Sequence, residues 1–140
     1  RDLIAADPTV RVIFKDGPIF GPASKAAAEV ALAAARQGRY LDVHRAFMAR
    51  RTPLDPPGIE RLARDAGVDW PRLAATRQAA GPALQAQLAR HALQAFSLGL
   101  QGTPAYLAGA YLIEGGLDAR QLAQAVRRAR RDGPPGRGGD

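Results

Sequence analysis

The chain offers few side chains of the kinds that perform catalysis. Among its 140 residues there are two histidines and no cysteine. His44 could act as a general base, but no nucleophile or carboxylate partner is evident for it, so a core or half-buried histidine is the stronger interpretation. His44 and His91 stand far apart, with no obvious carboxylate set, which argues against a metal site. The sequence therefore predicts no metal ion and no cofactor.

The turn of residues 102–105 has the sequence Gly-Thr-Pro-Ala. It lies between a long helical segment and a short apolar hairpin. Because Pro104 has no amide hydrogen, it cannot donate to a sheet ladder, and a cis bond before proline costs only about 0.5–1 kcal/mol over trans. A buried cis turn at Thr103 and Pro104 is therefore predicted. The alternative is an ordinary loop, which Gly and Pro mark between any helix and strand.

The charge of the chain permits, but does not require, an anionic partner. The net charge is +7 and the sequence pI is about 11.0. Most arginines are spaced along predicted helices as a solvated surface, and the run Arg127, Arg128, Arg130 and Arg131 closes the last helix, where cations offset the helix dipole. Without interleaved aromatic residues, nucleic acid has no stacking platform and is not expected. No apolar run approaches the roughly 18 residues of a membrane span.

Helices dominate the predicted secondary structure. Residues 1–6 have the pattern of the last turns of a helix, and residues 24–37 form an alanine-rich helix that Gly38 ends as a left-handed cap. A second helix follows at once. Its apolar face carries Tyr40, Val43, His44 and Phe47 at the spacing of one helical stripe.

Two aspartates mark the starts of the next helices. Asp55 precedes a proline at the first helical position, and Asp69 precedes the apolar pattern that follows. Because proline interrupts helical hydrogen bonding, Gly81 and Pro82 are predicted to separate the second of these helices from another over residues 83–98.

Three short segments have the pattern of β-strands. Residues 10–14 are β-branched and aromatic on both faces, which predicts a strand buried on two sides. Residues 105–107 and 111–114 form a hairpin in which Gly109 supplies a positive φ. Asp118 then caps the last helix.

The order of these elements resembles the DsbA family of thioredoxin-fold proteins. The resemblance rests on residues 98–106 (LGLQGTPAY), the hairpin and helix after them, and residues 10–19 and 21–24 (GPAS) upstream. It implies an α/β, thioredoxin-like fold with an inserted all-helical subdomain. The fold would be incomplete, because its first strand and most of its active-site helix are missing, together with the Cys-x-x-Cys motif.

The resemblance also implies a division of the chain. Residues 1–22 and 99–131 would form the thioredoxin-like part and residues 23–98 the helical insertion. Residues 132–140 contain no apolar residue that could anchor them, so their composition predicts a disordered tail. A sheet without its central strand leaves unpaired backbone groups, each costing on the order of 1–3 kcal/mol if buried. We therefore expect a rearranged sheet or strand exchange with a second copy.

The family is one of thiol-disulfide oxidoreductases, which act on protein or peptide substrates in the periplasm. By resemblance, Thr103 and Pro104 would bind the substrate peptide, while the chain itself would be redox-inactive because it has no cysteine. One alternative is a non-catalytic, thioredoxin-like peptide-binding or chaperone-like module. A weaker alternative is nucleic-acid binding through residues 127–131.

Overall fold

A computed structural model describes residues 2–133, with side chains from residue 3 onward. Six α-helices, one 3-10 turn and two strands follow one another along this part of the chain. In order they are α1 (Asp2–Ala6), α2 (Gly21–Ala34), the 3-10 turn (Ala35–Gln37), α3 (Tyr40–Ala49), α4 (Pro56–Asp65), α5 (Trp70–Ser97), β1 (Ala105–Ala108), β2 (Tyr111–Glu114) and α6 (Ala119–Asp132).

The chain divides into two compact units. The helical unit is Asp16–Gln94, and the hairpin unit comprises the described parts of Arg1–Lys15 and Ala95–Asp140. The assignment of residues 1–22 and 99–131 to a thioredoxin-like part, with residues 23–98 inserted, remains a prediction.

The helical unit is built around α2. Seven of its fourteen residues are buried, and most of these are alanines, whose small side chains let α3 and α4 pack closely. The largest fully buried side chains are those of Val30 on α2, Val43 on α3 and Leu73 on α5. Burial of such apolar side chains is worth about 1.5–3 kcal/mol each, so these helices stabilise one another.

The predicted caps of the helical unit are present. Asp55 accepts a 2.7 Å hydrogen bond from the backbone N–H of Gly58, and Asp69 accepts one of 3.0 Å from Arg72. Each satisfies a donor that the first turn of a helix leaves unpaired. Gly38 has a φ of +70° and ends the 3-10 turn as predicted.

Helix α5 is continuous through Pro82, so the predicted break at Gly81 and Pro82 is wrong. Proline removes one backbone hydrogen bond from the helix, but packing can override that cost. At 100° per residue, Leu73 and Leu84 lie 20° apart on the helix surface and Leu88 a further 40°, so one apolar stripe runs past the proline. All three leucines are buried in the core of the helical unit, so both sides of the proline pack against it.

The hairpin unit holds a two-stranded antiparallel sheet, as predicted. Ala105 pairs with Glu114 and Ala108 with Tyr111, and Gly109 has a φ of +59° in the two-residue loop. Helix α6 begins with a capping box, in which the Asp118 side chain accepts from Gln121 N–H and the Gln121 side chain accepts from Asp118 N–H. The predicted cap at Asp118 is therefore confirmed.

The predicted strand at residues 10–14 is wrong. This segment has no regular secondary structure, and four of its five residues are exposed. Val12, Ile13 and Phe14 keep 41%, 64% and 43% of their surface accessible. Strand propensity reflects packing against neighbouring strands, and within residues 2–133 the sheet consists of β1 and β2 alone. The segment therefore has the composition of a strand but is not part of the sheet in the described part of the chain.

The predicted tail lies mostly outside the described residues. Helix α6 includes Asp132, Gly133 follows it, and residues 134–140 are not described. None of the described helices is both long enough and apolar enough to cross a membrane.

Candidate functional site

The turn at Thr103 and Pro104 lies at the entrance to β1. Helix α5 ends at Ser97, Gly99 takes a positive φ of +73°, and the chain then enters the hairpin at Ala105. The Thr103–Pro104 peptide bond is cis. Both residues are exposed, so the predicted burial of the turn is wrong. Among the described residues the sheet has two strands, so no further strand covers this end of the hairpin.

Two hydrogen bonds hold the turn against the end of β2. The carbonyl of Pro104 accepts a 2.9 Å bond from the N–H of Gly115. The N–H of Gln101 donates a 2.8 Å bond to the carboxylate of Glu114. The turn is thus fixed on both sides of Thr103 while Thr103 itself faces outward.

The backbone of Thr103 is unpaired among the described residues. No hydrogen bond within residues 2–133 uses its N–H, its carbonyl or its hydroxyl. Pro104 cannot donate, so the donor available beside the turn is the N–H of Thr103. An exposed, unpaired donor and acceptor next to a strand is the arrangement that receives an extended peptide by strand addition.

The hairpin rests on α6 through a close backbone approach. A Cβ atom placed on Gly109 would lie 2.9 Å from the Cβ of Ala129. The Tyr111 ring lies under the guanidinium of Arg128, with the Arg128 carbon 4.1 Å from the ring centre. The Tyr111 hydroxyl donates to the carboxylate of Asp132. These contacts fix the hairpin that carries Pro104.

A second contact joins α6 to the loop after α1. Arg130 donates a 2.6 Å charged hydrogen bond to Asp7 and another to the hydroxyl of Thr9. The Thr9 hydroxyl in turn donates to Asp7 over 2.6 Å. The hydrogen bond from Arg130 is the largest cause that lowers the pKa of Asp7 from 3.8 to about 2. This contact therefore depends on an ionised Asp7.

His44 has a carboxylate neighbour that sequence analysis missed. Its Nδ1 lies 3.8 Å from the carboxylate of Asp16, and its ring stacks on Tyr40 at 5.7 Å between centres. The Tyr40 hydroxyl is 3.1 Å from both Asp16 oxygens. Burial and then the negative charge of Asp16 raise the pKa of Tyr40 above its usual value. The half-buried position predicted for His44 is confirmed, but the statement that it has no carboxylate partner is wrong.

This cluster joins Asp16 to two side chains of α3 within the helical unit. No cysteine is available as a nucleophile, and the raised pKa keeps Tyr40 in its neutral form. Asp16 stands 28 positions before His44, with no helical or strand spacing to connect them, so sequence patterns held no signal for the contact. No group of three or more metal-ligating side chains occurs in the described part of the chain.

The chain matches one protein-family model, that of the DSBA-like thioredoxin domain, over residues 4–127. None of the curated proteins compared with it matches.

Three solved structures illustrate the likeness. A thioredoxin-like oxidoreductase from Silicibacter pomeroyi is 37% identical with a TM-score of 0.85, over 93% of this chain and 74% of the other. The thiol-disulfide exchange protein alpha-DsbA2 from Wolbachia pipientis is 26% identical with a TM-score of 0.84, over 91% and 69%. A periplasmic thioredoxin-like protein from Salmonella enterica serovar Typhimurium is 25% identical with a TM-score of 0.75, over 91% and 71%. The likeness shows a thioredoxin-like fold with a helical insertion.

Proposed function

Because the chain belongs to the DSBA-like thioredoxin domain family, we propose that it serves protein thiol-disulfide exchange by binding an extended substrate peptide at Thr103 and Pro104. The observation that supports this most strongly is the exposed turn itself. The Thr103 N–H and carbonyl have no partner among the described residues, while bonds at Gln101 and Pro104 hold the turn in place. A peptide that pairs with Thr103 would continue the sheet ladder beyond β1.

The exchange step needs a thiolate that this chain does not supply. In such a step a thiolate attacks one sulfur of a disulfide, a new disulfide forms, and the other sulfur leaves as a thiolate. The chain has no cysteine. We therefore expect its role to be peptide binding, with the reacting cysteines provided outside these 140 residues, and we expect the chain alone to be redox-inactive.

A non-catalytic, chaperone-like peptide-binding module is the second candidate. It is favoured by the absence of cysteine and by the apolar surface of the hairpin, where Leu107 is 58% exposed and Leu112 37% exposed. These two leucines are directly paired across the strands, so they lie on the same face of the sheet. Such a face would hold unfolded segments without any exchange step.

The site of action that fits both candidates is the periplasm. The Salmonella protein with the same fold is described as periplasmic. Exchange of a strand with a second copy is a further proposal, and it rests on the strand-like composition of residues 10–14. Four of those five residues are exposed.

Peptide binding tests the proposal directly. A fluorescent extended peptide, with serine replacing its cysteines, is titrated with the 140-residue chain and followed by anisotropy. Thr103→Pro removes the amide donor, and we expect it to weaken binding about tenfold, the value of one lost hydrogen bond at a desolvated site. Thr103→Val keeps the backbone and serves as the matched control, with little change expected. Equal affinities for both variants would contradict the proposal.

An insulin-reduction assay separates the two candidates. The chain alone should give no rate above buffer. When mixed with a cysteine-bearing oxidoreductase from the same cell, it should raise the rate of exchange on the bound peptide if it serves thiol-disulfide chemistry. Suppression of insulin aggregation with no effect on that rate would favour the chaperone-like module.

A further inference from the structure

A groove runs between β2 and α6 in the hairpin unit. Its volume is about 350 Å³. Tyr111, Leu112 and Ile113 line one wall, and Gln124, Ala125, Arg128 and Arg131 line the other. None of these residues belongs to the turn at Thr103 and Pro104, so the groove is a separate feature.

Three consecutive residues of β2 line the strand wall of the groove. Because side chains of successive strand residues point to opposite faces, we infer that the groove passes along an edge of the sheet. Within residues 2–133, β2 pairs with β1 alone. The outer edge of β2 therefore presents backbone donors and acceptors to the groove. An extended chain is the ligand that satisfies such an edge.

The helix wall of the groove is basic. At 100° per residue, Gln124, Arg128 and Arg131 fall within about 60° of one another on α6 and so share one face. Arg131 is exposed and has no ion pair within the described residues, and the groove lining contains no acidic side chain. Asp132 lies at the rim of the groove, where it forms an ion pair with Arg128 over 4.0 Å. Arg131 therefore supplies the positive charge that has no ion-pair partner within the described residues.

Three apolar residues line the groove beside the arginines. Leu112 remains 37% exposed, and Ile113 and Ala125 are half-buried. Arg128 is held over the ring of Tyr111, which fixes its guanidinium before any ligand arrives. Arginine in a fixed orientation suits the planar, two-oxygen geometry of a carboxylate.

We propose that this groove binds an extended, acidic segment of a partner protein, which pairs with the outer edge of β2 and places carboxylates against Arg128 and Arg131. Alternating acidic and aliphatic residues fit it best, because successive side chains would meet the arginines and the apolar lining in turn. Nucleic acid fits less well, since the Tyr111 ring is already covered by Arg128 and cannot stack on a base.

The test measures binding of a fluorescent twelve-residue peptide of alternating glutamate and valine to the 140-residue chain. We expect saturable binding that weakens with added salt, and at least tenfold weaker binding of the peptide with glutamine in place of glutamate. Arg131→Glu, which breaks no recorded contact, should weaken binding about tenfold or more. Arg61→Glu is the matched control, because Arg61 is exposed on α4 and the charge change is the same.

Two results would overturn the proposal. Equal losses for Arg131→Glu and Arg61→Glu would show that the peptide responds only to net charge. Tighter binding of a single-stranded oligonucleotide than of the acidic peptide would assign the surface to nucleic acid instead.

Two further comparisons identify the edge and the site. A peptide methylated at alternate backbone nitrogens should bind about tenfold more weakly if it pairs with β2, and unchanged binding would refute the edge pairing. Thr103→Pro should leave this peptide's affinity unchanged, which separates the groove from the proposed substrate turn.

Discussion

Replacement of Gly109 by alanine tests how the hairpin is held on α6. Two costs add up at this position. Alanine at a φ of +59° costs about 1–2 kcal/mol, and its Cβ would lie 2.9 Å from that of Ala129, an overpacking that costs about 1–3 kcal/mol. Alanine also restricts the unfolded chain more than glycine does, which offsets about 0.4–1 kcal/mol of this loss of stability. We therefore expect Gly109→Ala to lower the free energy of unfolding by about 2–4 kcal/mol.

The chain offers a matched control for this experiment. Gly115 has a φ of +89°, and a Cβ atom added there would meet nothing within 4 Å, so Gly115→Ala should cost only the backbone part, about 1 kcal/mol. Adding Ala129→Gly to Gly109→Ala removes the clash and should restore the stability lost to overpacking. Glycine in a helix costs about 1 kcal/mol, so the recovery should be smaller by that amount. Urea unfolding followed by circular dichroism, with hydrogen exchange of the hairpin amides, measures each variant. Equal losses for Gly109→Ala and Gly115→Ala would refute the close approach to α6.

Three further outcomes follow from contacts on both units. The hydrogen bond from Arg130 lowers the pKa of the Asp7 carboxyl to about 2, so the stability from this contact should be complete above about pH 4 and lost as the pH falls toward 2. Acid unfolding of Asp7→Asn should lack this loss of stability. An acid-unfolding curve identical to that of the unsubstituted chain would contradict the ion pair. Because burial and Asp16 raise the pKa of Tyr40, Asp16→Asn should lower that pKa in a phenolate absorbance titration, and no change would exclude Asp16 as a cause. Leu73→Ala should lower the free energy of unfolding by about 2–5 kcal/mol, since Leu73 is fully buried. Fluorescence of the single tryptophan measures this change. A loss under about 1 kcal/mol would place the Leu73 side chain outside the core.

Local rules predicted the ends of the elements well. Asp55, Asp69 and Asp118 cap helices because a short acceptor side chain before a helical pattern satisfies the first free amides. Gly38 and Gly109 lie where the backbone needs a positive φ. In each case the deciding interaction spans only a few residues, so the sequence contains all of it.

The errors arise where distant parts of the chain decide the outcome. The helix through Pro82 is held by a leucine stripe that packs on other helices, and the strand pattern at residues 10–14 needs a partner strand. The contact between Asp16 and His44 joins positions with no common periodicity. Composition correctly indicated helical packing, but it could not assign these long-range partners.

At the candidate site, the family resemblance predicts Thr103 and Pro104 as peptide-binding residues, but the sequence does not show their surroundings. The hydrogen bonds that fix the turn join Gln101 to Glu114 and Pro104 to Gly115, so they depend on where β2 lies. The sequence likewise does not predict the groove beside α6. Its arginines have the pattern of an ordinary helix end, and the structure is needed to show that β2 lies next to them.

The most direct test of the central claim is a nuclear magnetic resonance titration of the isotope-labelled chain with an extended, cysteine-free peptide. If the peptide pairs with the backbone beside Pro104, the largest shift should occur at the amide of Thr103, with smaller shifts at Gln101 and Ala105 and none on α3. Shifts confined to other surfaces, with an unchanged Thr103 amide at saturation, would contradict the assignment of this turn as the peptide-binding site.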